Sequence, residues 1–177
     1  MSLSNIHTLI DYAKKNNTYR KPFNHFAMCV NSKGTPLSFG TNQVRRDRTI
    51  HAEIDAINNL PSITRKKRRL VKITLIVIRI SRRLGHLGDS KCCMHCCECI
   101  YKIPALRGYT IDSVIYSNSD GGFEEHHPIE LLVEDNYHIS SYFSSRNYKP
   151  KIRKRVMANP DVKTKMFLDK KDSSESE

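Results

Sequence analysis

Five of the six cysteines of this chain lie within eight consecutive residues, and no other feature restricts the structure as strongly. They are Cys92, Cys93, Cys96, Cys97 and Cys99. That density is unusual for a disulfide framework, whereas two cysteines separated by two residues are typical of a zinc site. The run Cys93-Met94-His95-Cys96 has this spacing. The cluster therefore predicts a metal site near residue 93.

The rest of the sequence agrees with reduced cysteines and no membrane partner. Residues 1–12 lack the basic start, apolar stretch and small-residue cleavage site of a secretory signal, so we expect an intracellular protein, cytoplasmic or nuclear. The longest apolar run, residues 73–80, is interrupted by Arg79. It is far shorter than the roughly 18 residues that a membrane helix needs. The cysteines should then be thiols or metal ligands.

A second motif supplies the remaining chemistry. His51-Ala52-Glu53 opens a predicted helix, as Cys93 does, and helix N-termini favour thiolates and other anions. One imidazole and the thiolates of Cys93 and Cys96 would leave a fourth zinc position open, which is typical of a catalytic site. Such a zinc lowers the pKa of bound water toward about 7. Glu53 is the candidate proton shuttle, and the predicted reaction is hydrolytic deamination.

The hydrophobic pattern predicts a single α/β domain. A chain of 177 residues fits one compact unit with a tail. The predicted order is a helix over 4–15, a hairpin over 23–42, a helix over 51–60, a buried strand over 71–80, a helix over 92–107, a strand over 109–117 and a returning strand over 123–132. This order predicts a mixed central sheet with helices on its faces. Composition turns basic and then acidic after residue 148, so we predict a domain over 1–148 and a flexible tail over 149–177.

These motifs resemble the signature of the zinc nucleobase deaminases, His-x-Glu followed by Pro-Cys-x-x-Cys. The match is complete except that Cys92 stands where proline is usual. The resemblance, to the cytidine and deoxycytidylate deaminase-like superfamily, extends over roughly residues 23–129 in element order. It implies the three-layer cytidine-deaminase-like fold, a Zn²⁺ cofactor and conversion of cytosine to uracil in a nucleoside, nucleotide or polynucleotide. Adenine is the second choice of base, because the same chemistry serves either ring.

The resemblance also implies where a substrate binds. Asn42 is expected to hold the sugar, the backbone amide of Ala52 to donate to the base carbonyl, and backbone near Ser90 to accept from the leaving amino group. The expected partner is a cytosine-containing nucleoside, nucleotide or single-stranded nucleic acid. Members of such families are often dimers or tetramers, so a homo-oligomer is among the expected states.

The charge of the chain points to anionic partners. Lys and Arg number 30 against 18 Asp and Glu, a formal net charge of +12. The candidate phosphate or nucleic-acid contacts are Arg45, Arg46, Arg65, Lys66, Lys67, Arg68 and Arg69. Short basic runs also occur in ordinary solvated loops. The aromatic residues that could stack on a base are Tyr101, Tyr116, Tyr142 and Phe143.

The additional thiols leave an alternative open. The further candidate ligands are Cys92, His95, Cys97 and Cys99. If one of them closed the zinc site with a fourth protein ligand, no position would remain for catalysis. The alternative function is then a non-catalytic, zinc-stabilised deaminase-like module that binds nucleic acid through its basic surface.

Overall fold

The computed structural model describes residues 3–17, 23–44, 49–63, 70–81 and 85–159. In the first half of the chain the elements are α1 (Leu3–Asn16), β1 (Phe23–Asn31), β2 (Pro36–Thr41), β3 (Gln43–Val44), β4 (Thr49–Ile50), α2 (Ala52–Asn58) and β5 (Val71–Ser81). In the second half they are β6 (Leu87–Gly88), α3 (Met94–Lys102), a 3₁₀ turn (Pro104–Arg107), β7 (Tyr109–Ser117), β8 (Phe123–His126), α4 (Pro128–Val133), α5 (Ser141–Ser144) and α6 (Lys151–Met157).

The main sheet is mixed, as the sequence predicts. Its strand order is β2-β1-β5-β7-β8, with the short β6 also paired to β5. β1 runs antiparallel to both β2 and β5, β5 and β7 are parallel, and β8 returns antiparallel to β7. β2 and β5 therefore end at the same edge of the sheet. The helices that follow them along the chain, α2 and α3, both begin at this edge.

Helices cover both faces of the sheet, which confirms the three-layer arrangement. Along β1, Phe26 and Met28 face a cluster that contains Leu9 of α1, while Ala27 and Cys29 face the cluster formed with α2 and α3. This alternation follows from the two-residue period of a strand, because successive side chains point to opposite faces. The two buried clusters fix α1 on one side of the sheet and both motif-bearing helices on the other.

Gly40 of β2 sets the distance between the sheet and α2. A Cβ atom at this position would lie 2.2 Å from the backbone nitrogen of Ala56 and 2.3 Å from the backbone oxygen of Ala52. Only glycine allows strand and helix backbones to approach this closely. The hydroxyl of Ser38, on the same strand, donates a hydrogen bond to the Ala56 carbonyl at 2.7 Å. Strand β2 therefore fixes the position of α2 and of the residues at its start.

The strand predicted over 123–132 is wrong beyond His126. Pro128 starts α4 instead, at a first-turn position where its missing N–H costs nothing. The His127 ring accepts a hydrogen bond from the amide of Ile129, and the Glu130 carboxylate accepts one from the amide of His127. These reciprocal bonds form a capping box. A histidine replaces the usual Ser or Thr cap, so the sequence pattern does not reveal the helix.

Helix α6 lies in the segment 149–177 that the sequence predicts as a flexible tail. Val156 is buried, and the backbone amides of Ile152 and Arg153 donate hydrogen bonds to the Glu98 carboxylate of α3. The packed part of the chain therefore continues to Met157. Composition alone misses this helix, because the group that anchors it is more than 50 residues away in the sequence. The acidic end of the predicted tail lies outside the described residues.

Candidate active site

His51 and Cys93 occupy equivalent positions at the starts of α2 and α3. Each is the residue that precedes its helix, with extended backbone torsions of φ −78°, ψ 156° at His51 and φ −70°, ψ 158° at Cys93. Neither side chain caps its own helix. Because both helices begin at one edge of the sheet, these side chains meet, and Cys96 joins them from the first turn of α3.

The donor atoms of these three residues have the spacing of a tetrahedral zinc site. His51 Nδ1 lies 3.2 Å from Cys96 Sγ and 3.5 Å from Cys93 Sγ. Nitrogen and sulfur ligands bound to one tetrahedral zinc, at roughly 2.0 and 2.3 Å, lie about 3.6 Å apart. All three donor atoms lie within 4.8 Å of one another. One imidazole with two thiolates is a donor set that zinc prefers, so these residues fit the metal.

The four additional candidate ligands lie outside this cluster. Cys97 Sγ contacts the backbone oxygen of Cys92 at 3.7 Å, and Cys99 Sγ lies 3.8 Å from His95 Nε2. In the part of the chain that the structure describes, no second set of three His, Cys, Asp or Glu side chains converges in this way. The structure thus brings together the three residues of the two motifs and leaves a fourth position without a protein ligand among these residues.

The three ligand candidates shift one another's pKa values. The pKa of Cys93 is lowered to about 3, first because its sulfur is hydrogen-bonded by Cys96 and then because His51 lies beside it. Burial alone would lower the pKa of His51, but the hydrogen bond and charge of Cys93 raise it above its ordinary value. Burial raises the pKa of Cys96. The contacts of Cys93 thus favour its thiolate, the form that a zinc ligand requires.

Glu53 lies beside the cluster on the first turn of α2. It is only 5% exposed. Burial raises the pKa of its carboxyl group, and the positive charge of His51 opposes this rise. A buried acidic side chain next to an open metal position is the arrangement needed for proton transfer in a hydrolytic site. Among the described residues that line the cavity, Glu53 is also the only acidic one.

A cavity of about 260 Å³ opens above these groups. From the region of β1 to β4 it is lined by His25, Asn42, Val44 and Thr49. The starts of α2 and α3 contribute His51, Ala52, Glu53, Ser90, Lys91 and Cys93, and the segment before α5 contributes His138 and Ser140. The three positions expected to bind substrate, Asn42, Ala52 and Ser90, are all on this wall. The candidate phosphate contacts at 45, 46 and 65–69 lie outside the described residues.

Hydrogen bonds hold two of these wall residues. Asn42 Oδ1 accepts from the backbone amide of His25 at 3.1 Å, and this leaves the Asn42 amide group as a donor. Ser90 Oγ donates to the Val77 carbonyl at 2.9 Å and accepts from the Ser117 amide at 2.9 Å. Ser90 is therefore fixed between the ends of β5 and β7.

Sequence reasoning did not find six residues on the cavity wall, namely His25, Val44, Thr49, Lys91, His138 and Ser140. The two-residue alternation of β1 could have placed His25 on the side of α2 and α3, because it shares a face with Ala27. Burial, together with the nearby Arg79 charge, lowers the pKa of His25 to about 4, so this ring is neutral near pH 7. Nothing in the sequence signals the approach of His138 and Ser140, which follow α4 in an irregular segment.

The mixed sheet holds a His-Cys-Cys donor set at the starts of two helices, and a buried glutamate lies beside the position that this donor set leaves open. This combination defines a zinc-dependent hydrolase. Residues 4–111 match the family model for the cytidine and deoxycytidylate deaminase zinc-binding region. The match covers more than half of the chain, and the chain belongs to this family. It is a zinc-dependent deaminase acting on a cyclic amidine, and His51, Cys93 and Cys96 are the residues that can hold the zinc.

Two solved structures are similar to the chain. One is the dCMP deaminase of the cyanophage S-TIM5 in its apo form, at 17% identity and a TM-score of 0.39, covering 67% of this chain and 86% of that one. The other is the cytidine deaminase of Burkholderia pseudomallei, at 17% identity and a TM-score of 0.46, covering 77% of this chain and 100% of that one. No curated protein matches the sequence. None of the described helices has the length and hydropathy of a membrane span.

Proposed function

We propose that the chain hydrolyses the exocyclic amino group of cytosine in a nucleoside or nucleotide, giving uracil and ammonia. The observation that carries this proposal is the convergence of His51, Cys93 and Cys96 at a cavity that also holds the buried Glu53. The description of the family names cytidine and deoxycytidylate, and both contain cytosine. This supports cytosine over adenine as the base of the substrate. A role in nucleotide metabolism follows from that substrate class.

The side chains of the cavity have separate roles in this reaction. Zinc, when bound, supplies a Lewis acid that makes water nucleophilic near neutral pH. Glu53 would accept a proton from the attacking water and pass protons to the ring nitrogen and to the amino group, which departs as ammonia. The ring of the substrate displaces bulk water from the cavity, so the proton moves between Glu53 and the substrate rather than into solvent.

Three wall positions orient the substrate. Asn42 has an amide group available to donate to a sugar hydroxyl, because its carbonyl oxygen is already used by His25. The Ala52 amide is one of the unpaired N–H groups in the first turn of a helix and donates to the base carbonyl. Backbone next to Ser90, fixed by its hydrogen bonds to β5 and β7, accepts from the amino group. Together these contacts select a pyrimidine whose carbonyl and amino groups lie on either side of one ring nitrogen.

The substitution Glu53→Gln tests the proposal. It keeps the shape of the side chain and removes the proton shuttle, so we expect conversion of cytidine to uridine, or of deoxycytidylate to deoxyuridylate, to slow by about 10²–10⁴-fold. Zinc content, measured by elemental analysis, should stay near that of the unaltered protein. Asp11→Asn, an exposed carboxylate on α1, is the matched control and should leave the rate unchanged. Full turnover in the Glu53→Gln variant would refute the assigned role.

A second candidate function is a zinc-stabilised module that binds nucleic acid without catalysis. The net charge of +12 favours it, as does Cys92 at the position where proline is usual. If this alternative is correct, we expect the purified protein to contain zinc and to turn over no cytosine substrate. We also expect Glu53→Gln to leave its nucleic-acid affinity unchanged. Zinc analysis combined with an assay of cytidine and deoxycytidylate deamination therefore separates the two functions.

A further inference from the structure

The segment 136–159, which we name the C-terminal arm, carries positive charge only. It contains Arg146, Lys149, Lys151, Arg153, Lys154 and Arg155, and no Asp or Glu. The arm starts at the cavity, because His138 and Ser140 line its wall, and it continues through α5 to α6. A base bound in the cavity would thus lie at one end of a segment whose Lys and Arg residues begin at Arg146.

The arm is anchored to α3 rather than loosely attached. Its His138 carbonyl accepts a hydrogen bond from the Met94 amide at 2.9 Å. Further along, the Glu98 carboxylate accepts hydrogen bonds from the Tyr148 hydroxyl and from the amides of Ile152 and Arg153. Glu98 is 8% exposed, so this anchor is inside the protein. Because α3 also carries Cys93 and Cys96, the arm has a fixed position relative to the site.

Most of the cations of the arm are available to a partner. Arg153 is used within the protein, since it lies 3.8 Å from a carboxylate oxygen of Asp135 and 4.6 Å from the centre of the Tyr137 ring. The other five are exposed, and among the described residues none has a carboxylate within 4.0 Å. A row of unneutralised cations beside a cavity attracts a polyanion.

Aromatic side chains accompany these charges near the cavity. The Arg146 guanidinium lies over the Tyr142 ring at 3.9 Å, and Phe143 stacks on His95 at 3.7 Å with its centre 5.8 Å from the His51 ring. Aromatic rings with adjacent arginines form platforms on which the bases of a single strand stack. Tyr116, a candidate from the sequence, does not belong to this group, because it is 1% exposed and bonds to Glu124.

We propose that the C-terminal arm binds the phosphodiester backbone of a single-stranded nucleic acid, one base of which enters the cavity. This inference rests on the proposed function, since the base in the cavity is the one deaminated. A single strand is favoured over a duplex, because a paired base is stacked and cannot reach a recessed site without unpairing. The exposed cations contact phosphates along the strand, and Tyr142 stacks on a neighbouring base.

The test measures binding of a fluorescein-labelled oligodeoxythymidylate of roughly 20 nucleotides to the zinc-loaded full chain between about 50 and 200 mM salt. The arm variant combines Lys149→Gln, Lys151→Gln, Lys154→Gln and Arg155→Gln. Each lost phosphate contact lowers the slope of log affinity against log salt by about 0.7, so we expect a decrease of roughly 2–3 and a loss of at least about tenfold in affinity.

The matched control removes four exposed cations elsewhere, with Lys14→Gln, Lys15→Gln, Lys33→Gln and Lys102→Gln. We expect its affinity to stay within about twofold of the unaltered protein. Equal weakening by both variants would overturn the proposal, because it would mean attraction by net charge alone. Equal affinity for a duplex of the same length, or for polyglutamate, would overturn it as well.

Turnover separates this inference from the proposed function. The arm variant should deaminate free deoxycytidylate at the normal rate and a cytosine-containing oligonucleotide at least about tenfold more slowly at low substrate concentration. If the arm variant lost deamination of both deoxycytidylate and the oligonucleotide, the arm residues would be needed for the fold rather than for strand binding. If the unaltered protein deaminated none of these substrates, the proposed function would be refuted. The difference in strand affinity between the arm variant and the control variant would still decide whether the arm binds a nucleic acid.

Discussion

Cys92 and Cys93 are adjacent in sequence and have opposite chemistry. The pKa of Cys93 falls to about 3 because its sulfur faces Cys96 and His51, whereas burial raises the pKa of Cys92. Both side chains are buried, so the difference comes from what each sulfur contacts. The spacing of the two motifs is enough to predict His51, Cys93 and Cys96 as a group. It cannot separate them from the other thiols, because the direction of each side chain depends on how α3 packs.

Cys96→Ser should remove most of the zinc, while Cys97→Ser should retain it. Cys96 Sγ lies 3.2 Å from His51 Nδ1 in the cluster, and a serine hydroxyl is a much poorer zinc ligand than a thiolate. Cys97 is a buried thiol whose sulfur contacts the Cys92 carbonyl and lies outside the donor set, so its replacement leaves that set intact. Elemental analysis of the two purified variants checks this. Equal zinc in both would mean that the metal is held elsewhere.

At the scale of elements, the contact between β2 and α2 determines where the first motif lies. The sequence predicts both elements, and their observed bounds differ from the prediction by only a few residues. It does not predict their separation, because that depends on a contact between Gly40 and α2 across the fold. The short pair β3 and β4, and the helices α4 to α6, also go unpredicted. A capping box starts α4, and α6 bonds to Glu98 more than 50 residues away, so a local hydrophobic period signals neither helix.

Gly40→Ala should damage both stability and catalysis. The added methyl group would meet the backbone of α2 at 2.2 Å, so the helix must move away from the sheet. Overpacking of this kind costs about 1–3 kcal/mol in the free energy of unfolding, and more where backbone blocks the space. We expect a lower midpoint in urea and a lower rate of deamination, because His51 and Glu53 move with α2.

Gly122→Ala is the control for this substitution. At that position the nearest atoms belong to the Asn118 side chain at 3.3 Å, which can shift. Its stability should change by less than about 1 kcal/mol. A Gly40→Ala variant as stable and as active as this control would show that α2 is not held by the close contact.

For the whole molecule, the zinc site joins segments that are more than 40 residues apart. His51 and Cys93 begin different helices of one layer, and a shared metal would connect them across the edge of the sheet. The sequence predicts this layer and the metal that joins it. It does not predict that the chain continues past residue 148 as a packed element, because the buried carboxylate that anchors α6 looks like any other helical glutamate in the sequence.

Removal of zinc should therefore lower the stability of the entire domain. A ligand that binds only the folded state stabilises it by about 3 kcal/mol at a hundredfold excess over its dissociation constant. We expect a chelator to reduce the thermal midpoint of the unaltered protein and to leave that of Cys96→Ser nearly unchanged. Scanning calorimetry with and without the chelator measures both. The same shift in both proteins would indicate that the chelator acts at another site.

The Glu98 anchor has a consequence for where the chain can be cut. A fragment that ends at residue 148, the boundary suggested by composition, would keep the buried carboxylate and lose the backbone amides of Ile152 and Arg153 that bond to it. A carboxyl group left in the interior without these donors is costly to bury. The same cut would remove Val156 from the core formed with α3 and α4. A shortened version for expression or crystallisation should thus retain the chain through Met157, so that the carboxylate and its donors stay together.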